Sequence, residues 1–322
     1  MFNIFKLFSV KTRPAVGFLF FPAVIFMMTM MTGCSTVHSI EKSTKHMVRD
    51  FKSPDSDLKK TIALMPFENK TTFKDGGMDE KIIQNLTRAI TSSCSNILVE
   101  KPDDSNYPEE LTGLPRQMPG KIDNFDLAKI GRRFGLNGVV TGSVVNISPD
   151  NKKKGILWFK DTHYYVQVQI SAQLYDTETA AKLLDESFVH EVEVDEADLE
   201  SIQTESGIQA SIIDEALKAI VDKMGEKICS AVVLQPWKGF IASINAHRIM
   251  INSGEKTGLK IGDLFDVFDS SGIFKGAGGQ RFFIPGVKVG EIKITTVYPD
   301  KAEAILLSGK DIQAGFSIRT KD

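Results

Sequence analysis

From Val166 to Leu174 every second residue is apolar: Val166, Val168, Ile170, Ala172 and Leu174 alternate with Gln167, Gln169, Ser171 and Gln173. Period two predicts a strand with one face in a core and the other in water. Asp176-Thr177-Glu178-Thr179 predicts a turn, and Lys182 to Val194 a returning strand. Elsewhere the spacing is helical. Ile82, Ile83, Leu86, Ala89 and Ile90 predict a helix within Met78–Ser95, and Leu127, Ala128 and Ile130 one over Phe125–Phe134, stopped by Gly135. Ile212, Ile213, Ala216, Ile220, Val221, Met224 and Ile228 form one stripe of a long helix from Ile208 to Val233. Thr61–Phe67 is a short apolar run ended by a turn, the pattern of a strand buried on both faces; Asn96–Glu100 predicts a second short strand, and Leu136–Ile147 a strand with small residues at Gly138 and Gly142. Lys101–Lys121, rich in Pro, Gly and Asp, predicts a loop. After Trp237 helical spacing disappears. Short strands alternate with turns at Gly254, Gly258, Gly262, Gly272, Gly286 and Gly290, which predicts a small barrel or sandwich.

The amino-terminal pattern is of another kind. Met1–Pro14 carries Lys6, Lys11 and Arg13 and no acid, and the 17 residues Ala15–Met31 are uncharged and mostly apolar. A basic start, an apolar middle and a small residue before a cleavage point describe a secretory signal peptide. A spanning helix needs about 20 apolar residues, and this run is interrupted by Gly17 and Pro22. Met31-Thr32-Gly33-Cys34 resembles a bacterial lipobox, with Met31 where Leu is usual. The resemblance implies cleavage after Gly33 and lipidation of Cys34. Ser35 at the next position implies transfer to the outer membrane. Each buried methylene contributes about 0.8 kcal/mol, so several acyl chains would hold the protein firmly. Residues 34–60 are polar and predict a tether, with a span of about 28 Å if it behaves as a coil.

The chain has 39 basic and 41 acidic side chains. The leader holds three of the bases and no acid, so the mature charge is −5. That balance gives no electrostatic footprint for nucleic acid. Hydrophobic content of 42% suffices for packed cores, and about 290 mature residues predict two domains. The boundary falls at Gln235-Pro236. The expected organisation is therefore leader 1–33, lipidated tether 34–60, an α/β domain 61–235 and a β domain 236–322.

Candidate chemistry is sparse. GxSxG, GxxxxGK[ST] and HExxH are absent. His38, His46, His163, His190 and His247 lack ligand spacing, so neither a metal nor a cofactor is expected. Gly276-Ala277-Gly278-Gly279 has no following helix and predicts a hairpin turn. Lys152-Lys153-Lys154 predicts a solvated turn, with contact to anionic lipid or cell-wall polymer as the alternative. Trp158 and Phe159 follow it in GILWFK and are candidate partner contacts, because interfaces favour such anchors; packing beneath their own loop is the other reading. Phe282 and Phe283 form a second candidate contact, in a loop where self-packing is favoured. Cys94 and Cys229 are an even pair in an exported chain. A bridge and two buried free thiols are both compatible with the sequence.

LAKIGRRFGLNGVVTGSVVNI, residues 127–147, resembles a group of envelope proteins in which a helix ends at a Gly before a strand with a central "v-v-t-G". The group includes the curli-secretion family (CsgG), penicillin-binding-protein activator lipoproteins and the amino-terminal domain of TolB. IALMPFEN, residues 62–69, resembles their opening strand. In that fold the helices carrying Cys94 and Cys229 pack side by side on one sheet face. Residues 239–268, with Asn252, Gly254, Gly258, Gly262 and Asp263 in place, resemble the carboxy-terminal domain of flagellar assembly protein T, and residues 289–309 continue the match.

These resemblances imply an α+β protein: an α/β sheet-and-helix domain followed by a small all-β, barrel-like domain. They imply a non-enzymatic, outer-membrane-anchored lipoprotein facing the periplasm, docking or assembling envelope proteins. The implied partners are the inner leaflet of the outer membrane, through Cys34, and an envelope protein. Homo-oligomerisation stays open. A CsgG-like secretion-pore subunit and an activator of a cell-wall synthase are the alternative functions.

Overall fold

The computed structural model describes residues 57–73, 77–117, 121–156, 158–198, 210–245 and 248–321. Gly33, Cys34 and the leader lie outside the described residues. All described residues belong to one compact unit, 54–322.

A six-stranded mixed sheet forms the first part. Its central strand β1 (Lys60–Leu64) is buried throughout, as an apolar run covered on both faces must be. β1 pairs in parallel with β3 (Ile97–Glu100) and β6 (Gly138–Ile156), and the short β2 (Glu68–Asn69) extends along β6. β7 (Phe159–Asp176) and β8 (Lys182–Val194) continue the sheet antiparallel, giving the order β3-β1-β6-β7-β8. The chain also forms a two-residue hairpin, β4 (Arg116–Gln117) with β5 (Lys121–Ile122).

Helices α1 (Met78–Ser93) and α3 (Ala210–Val233) cover one face. Their stripes, Ile82, Leu86 and Ile90 with Ile213, Ile220, Met224 and Ile228, close over Val166, Val168, Ile170, Ala172 and Leu174 in one core. α2 (Asn124–Phe134) lies on the opposite face, where Leu127 joins Ala63, Met65, Val139 and Tyr175. Asp123 caps it by accepting from the amides of Phe125 and Asp126, and Gly135 ends it at φ +73°.

The second part is a closed antiparallel barrel in the order β10-β15-β14-β11-β16-β9. Its strands are β9 (Gly239–Asn245), β10 (Arg248–Ile251), β11 (Leu264–Phe268), β14 (Lys288–Val297), β15 (Ala302–Gly309) and β16 (Ser317–Thr320). A side hairpin, β12 (Ile273–Lys275) with β13 (Arg281–Phe283), is inserted between β11 and β14 and closed by the turn at Gly276–Gly279. Trp237, Ile249, Phe265, Val267, Ile292 and Ile294 fill the interior.

Three places depart from the sequence reading. The end of the expected tether is inside the fold: Leu58 packs into the barrel core, and Lys60 begins β1. The Lys60 ammonium donates to the carbonyls of Val232 (3.1 Å), Val233 (3.0 Å) and Gln235, capping α3. Lys152–Lys154 is strand rather than turn, because β6 runs on to Ile156, which pairs with Phe159 at the start of β7. Phe283 packs outward from the barrel onto α2. It is 9% exposed, stacks on Phe125 at 4.3 Å between centroids, and lies under the Arg132 guanidinium at 3.5 Å.

A buried polar cluster joins sheet to barrel. Lys238 donates to Asp176 (2.7 Å), the last residue of β7, and lies 3.3 Å from Glu178 in the β7–β8 turn; all three are at most 3% exposed. Glu178 also accepts from Arg319 (2.7 Å) and Ser317 (2.9 Å) of β16. Arg132 of α2 donates to the carbonyls of Thr177 (3.0 Å), Ser270 (3.0 Å) and Glu178. Burial lowers its pKa to about 10, opposed by Glu178 and Asp176.

Candidate docking surfaces

The hairpin β6–β7 projects past the sheet. The β8 ladder ends where Val194 meets Tyr164, while β6 and β7 stay paired for five more positions, Lys152↔His163 to Ile156↔Phe159. At about 3.4 Å per residue this ribbon extends roughly 17 Å beyond β8. At its end Ile156 is 80% and Trp158 88% exposed. Trp158 is therefore not tucked beneath its own loop; Phe159 opens β7 opposite Ile156.

Strand alternation sorts the lysines. Lys152 and Lys154 share a face with Glu191 and Glu193 of β8. Lys152 pairs with Glu191, and Lys154 lies 4.0 Å from Glu193, which also meets His163 at 2.6 Å. These contacts raise the Lys152 pKa, chiefly through its bond to Glu191, and lower that of Glu191. Lys153 and Lys160 occupy the opposite face, beside Thr162 and Gly155, and have no ion-pair partner among the described residues.

A second exposed surface lies on the barrel. Ile273 and Phe274 of β12, with Ile284 and Val287 just after β13, are 49–73% exposed. Phe282, between them in sequence, turns instead toward a cavity of about 350 Å³, shared with Gln280, Asn124, Gln173, Tyr175 and Lys182. The sequence reading named Phe282 and Phe283 here and missed Ile273, Phe274 and Val287. The available signal was a pair of apolar residues standing alone between Gly272 and Gly276.

Cys94 and Cys229 meet where α1 and α3 pack together. Their Cα atoms are 6.1 Å apart and their sulfurs at bonding distance, closing a separation of 135 residues. Among the described residues no group of three His, Cys, Asp or Glu side chains is placed to hold a metal ion, and no described helix is long and apolar enough to cross a membrane.

A mixed sheet with helices on both faces, joined to a small closed barrel, defines an α+β architecture of two parts. Residues 246–314, most of that barrel, match the family described as flagellar assembly protein T, C-terminal domain. No curated protein matches the chain in sequence. Among solved structures, the chain is similar to the PelC dodecamer from Paraburkholderia phytofirmans (11% identity, 53% of this chain and 87% of that one, TM-score 0.30). It is also similar to lipoprotein GNA1162 from Neisseria meningitidis (14%, 45% and 93%, 0.28) and TolB from Acinetobacter baumannii (11%, 78% and 61%, 0.25). At such scores these likenesses decide nothing about function.

Proposed function

We propose that this protein is a lipid-anchored envelope lipoprotein that docks or assembles other envelope proteins without catalysis. The observation that carries the reading is the family match of the barrel, residues 246–314, to a domain of a flagellar assembly protein. Anchoring comes from the Thr32-Gly33-Cys34 signature, and Ser35 favours the outer membrane, with the body in the periplasm. The protein-contact surface lies on and beside the β12–β13 hairpin, where Ile273, Phe274, Ile284 and Val287 leave large apolar side chains exposed, a feature of a kind that marks interaction sites. The buried ion cluster supports its use as a rigid platform, because it fixes the barrel to the sheet through Lys238, Asp176 and Glu178. A secretion pore draws less support: the apolar face of β7, which a lipid-facing strand would need, is already closed under α1 and α3.

Photo-crosslinkers placed at Phe274 and Val287 in intact envelopes test this reading. Discrete adducts of higher mass should form at both positions and be lost when Ile273 and Ile284 are changed to Asp. Crosslinking no greater than at an exposed control such as Lys310 would refute the docking surface.

A further inference from the structure

The projecting ribbon has a composition suited to a different partner from the barrel strip. We infer that the β6–β7 tip is a second, peripheral membrane contact, which docks on a bilayer surface rich in anionic lipid. This goes beyond the protein-docking reading and uses separate residues.

Three observations carry it. The turn reads Ile156-Leu157-Trp158-Phe159, four apolar residues in a row, bracketed by Lys154-Gly155 and Lys160. Ile156 and Trp158 stand at the far end of a two-stranded ribbon with almost their whole side chains in water. A folded protein gains nothing by holding a tryptophan there, whereas an indole ring is favoured at a membrane interface.

The charges are also sorted by direction. On one ribbon face Lys152 and Lys154 are neutralised by Glu191 and Glu193. On the other Lys153 and Lys160 stand beside Thr162 and Gly155 with no ion-pair partner among the described residues, and the acid that reaches this face, Glu196, is held at its base by the Tyr164 hydroxyl at 2.8 Å. The result is a one-sided cationic edge ending in an apolar point, on a chain whose net charge is −2. A planar anionic surface complements that edge, and a neighbouring acyl region complements the point. A protein pocket would satisfy Trp158 equally well but gives no reason for two lysines left without ion-pair partners beside it. Finally, the leader and Cys34 already read as bringing the chain to a membrane, so the tip would act at high local concentration.

Trp158 provides its own probe. The chain has two tryptophans, and Trp237 is 1% exposed inside the barrel and serves as the unchanging background. Full-length protein is reconstituted into vesicles of phosphatidylethanolamine and phosphatidylglycerol, and into phosphatidylcholine vesicles, each with and without brominated acyl chains. In the anionic vesicles the bromines should quench the Trp158 share of emission, and Trp158→Ser should abolish the effect. Lys153→Ala and Lys160→Ala should each lower the ratio of engaged to free tip about fivefold, as expected for one lysine near an anionic surface. Lys152→Ala, whose charge is already paired, should change the ratio less than twofold. Absence of quenching in anionic vesicles overturns the proposal. So does equal quenching in phosphatidylcholine with no response to the lysine variants, and so does protection of Trp158 only after an envelope protein extract is added, which would make the tip a protein contact. Crosslinking at Phe274 and Val287 is read separately and can fail or succeed on its own.

Discussion

Replacing Lys238 with methionine removes the ammonium shared by Asp176 and Glu178 while keeping the length of the side chain. All three groups are at most 3% exposed, so solvent cannot take the lysine's place. Glu178 retains Arg319 at 2.7 Å and the Ser317 hydroxyl at 2.9 Å. Among the described residues Asp176 retains two neutral hydrogen-bond donors, the Thr179 amide at 2.9 Å and the Thr179 hydroxyl, and the Arg132 guanidinium acts on it only through space. The stranded charge is therefore that of Asp176. Removing one partner of a buried pair costs about 3–5 kcal/mol, and Glu178's remaining partners place this case near 3. With a urea dependence of about 3 kcal/mol/M for a fold of this size, the midpoint should fall by about 1 M. Far-UV circular dichroism follows the whole fold, and Trp237, beside the substituted residue, reports on the barrel. The two signals should coincide in the wild type and separate in Lys238→Met, with the barrel transition first. Adding Asp176→Asn should recover part of the loss, giving a coupling of about 1–2 kcal/mol in the double-mutant cycle. A loss below about 0.5 kcal/mol with coincident signals would refute the claim that this cluster joins barrel to sheet.

Four further outcomes are expected. Cys94→Ala with Cys229→Ala should lower stability by about 2–5 kcal/mol, toward the upper end because the closed loop is long, and neither thiol of the wild type should react with a maleimide before reduction. Gly135→Ala should cost about 2–3 kcal/mol in urea melts, since its φ of +73° disfavours a side chain and a Cβ would strike the Asn252 carbonyl oxygen. Glu100→Gln should be slightly stabilising at pH 7: burial raises the Glu100 pKa above its ordinary 4.5, so the wild type loses stability as pH rises through that range, and the two proteins should become equal near pH 3. Cys34→Ser should leave an unprocessed precursor that takes up no labelled fatty acid; equal labelling of mutant and wild type would remove the lipobox reading.

The sequence by itself determined the elements whose pattern is local. Alternation in Val166–Leu174 specified both the strand and its buried face, because side chains on a strand repeat every two residues. The stripe from Ile213 to Ile228 specified α3, and Gly135 its companion's end, where only the left-handed region lets the chain leave α2. The glycine-punctuated strands after Trp237 likewise announced a small all-β part, leaving barrel and sandwich open, and the pairing of β9 with β16 closed it as a barrel. Of the candidate surfaces, Trp158 could be named from the sequence as a large aromatic beside a run of lysines, but its exposure could not, since packing beneath its own loop fitted the sequence as well. What the tertiary structure decided are the features whose partners lie far along the chain. Ser148–Gly155 is made of turn formers and reads as loop, yet it is strand because β7 supplies a hydrogen-bonded partner at each step. Lys152 and Lys153 are neighbours with the same side chain, and only the register against β8 neutralises one and leaves the other facing outward. Self-packing was the favoured reading of Phe283, but its partners, Phe125 and Arg132 about 150 residues earlier, were set only by the fold. Nothing in the local pattern marks Lys238, Asp176 and Glu178 as a buried cluster, because a sequence records that a group is charged, while burial and pairing are set by what the fold brings to it from elsewhere.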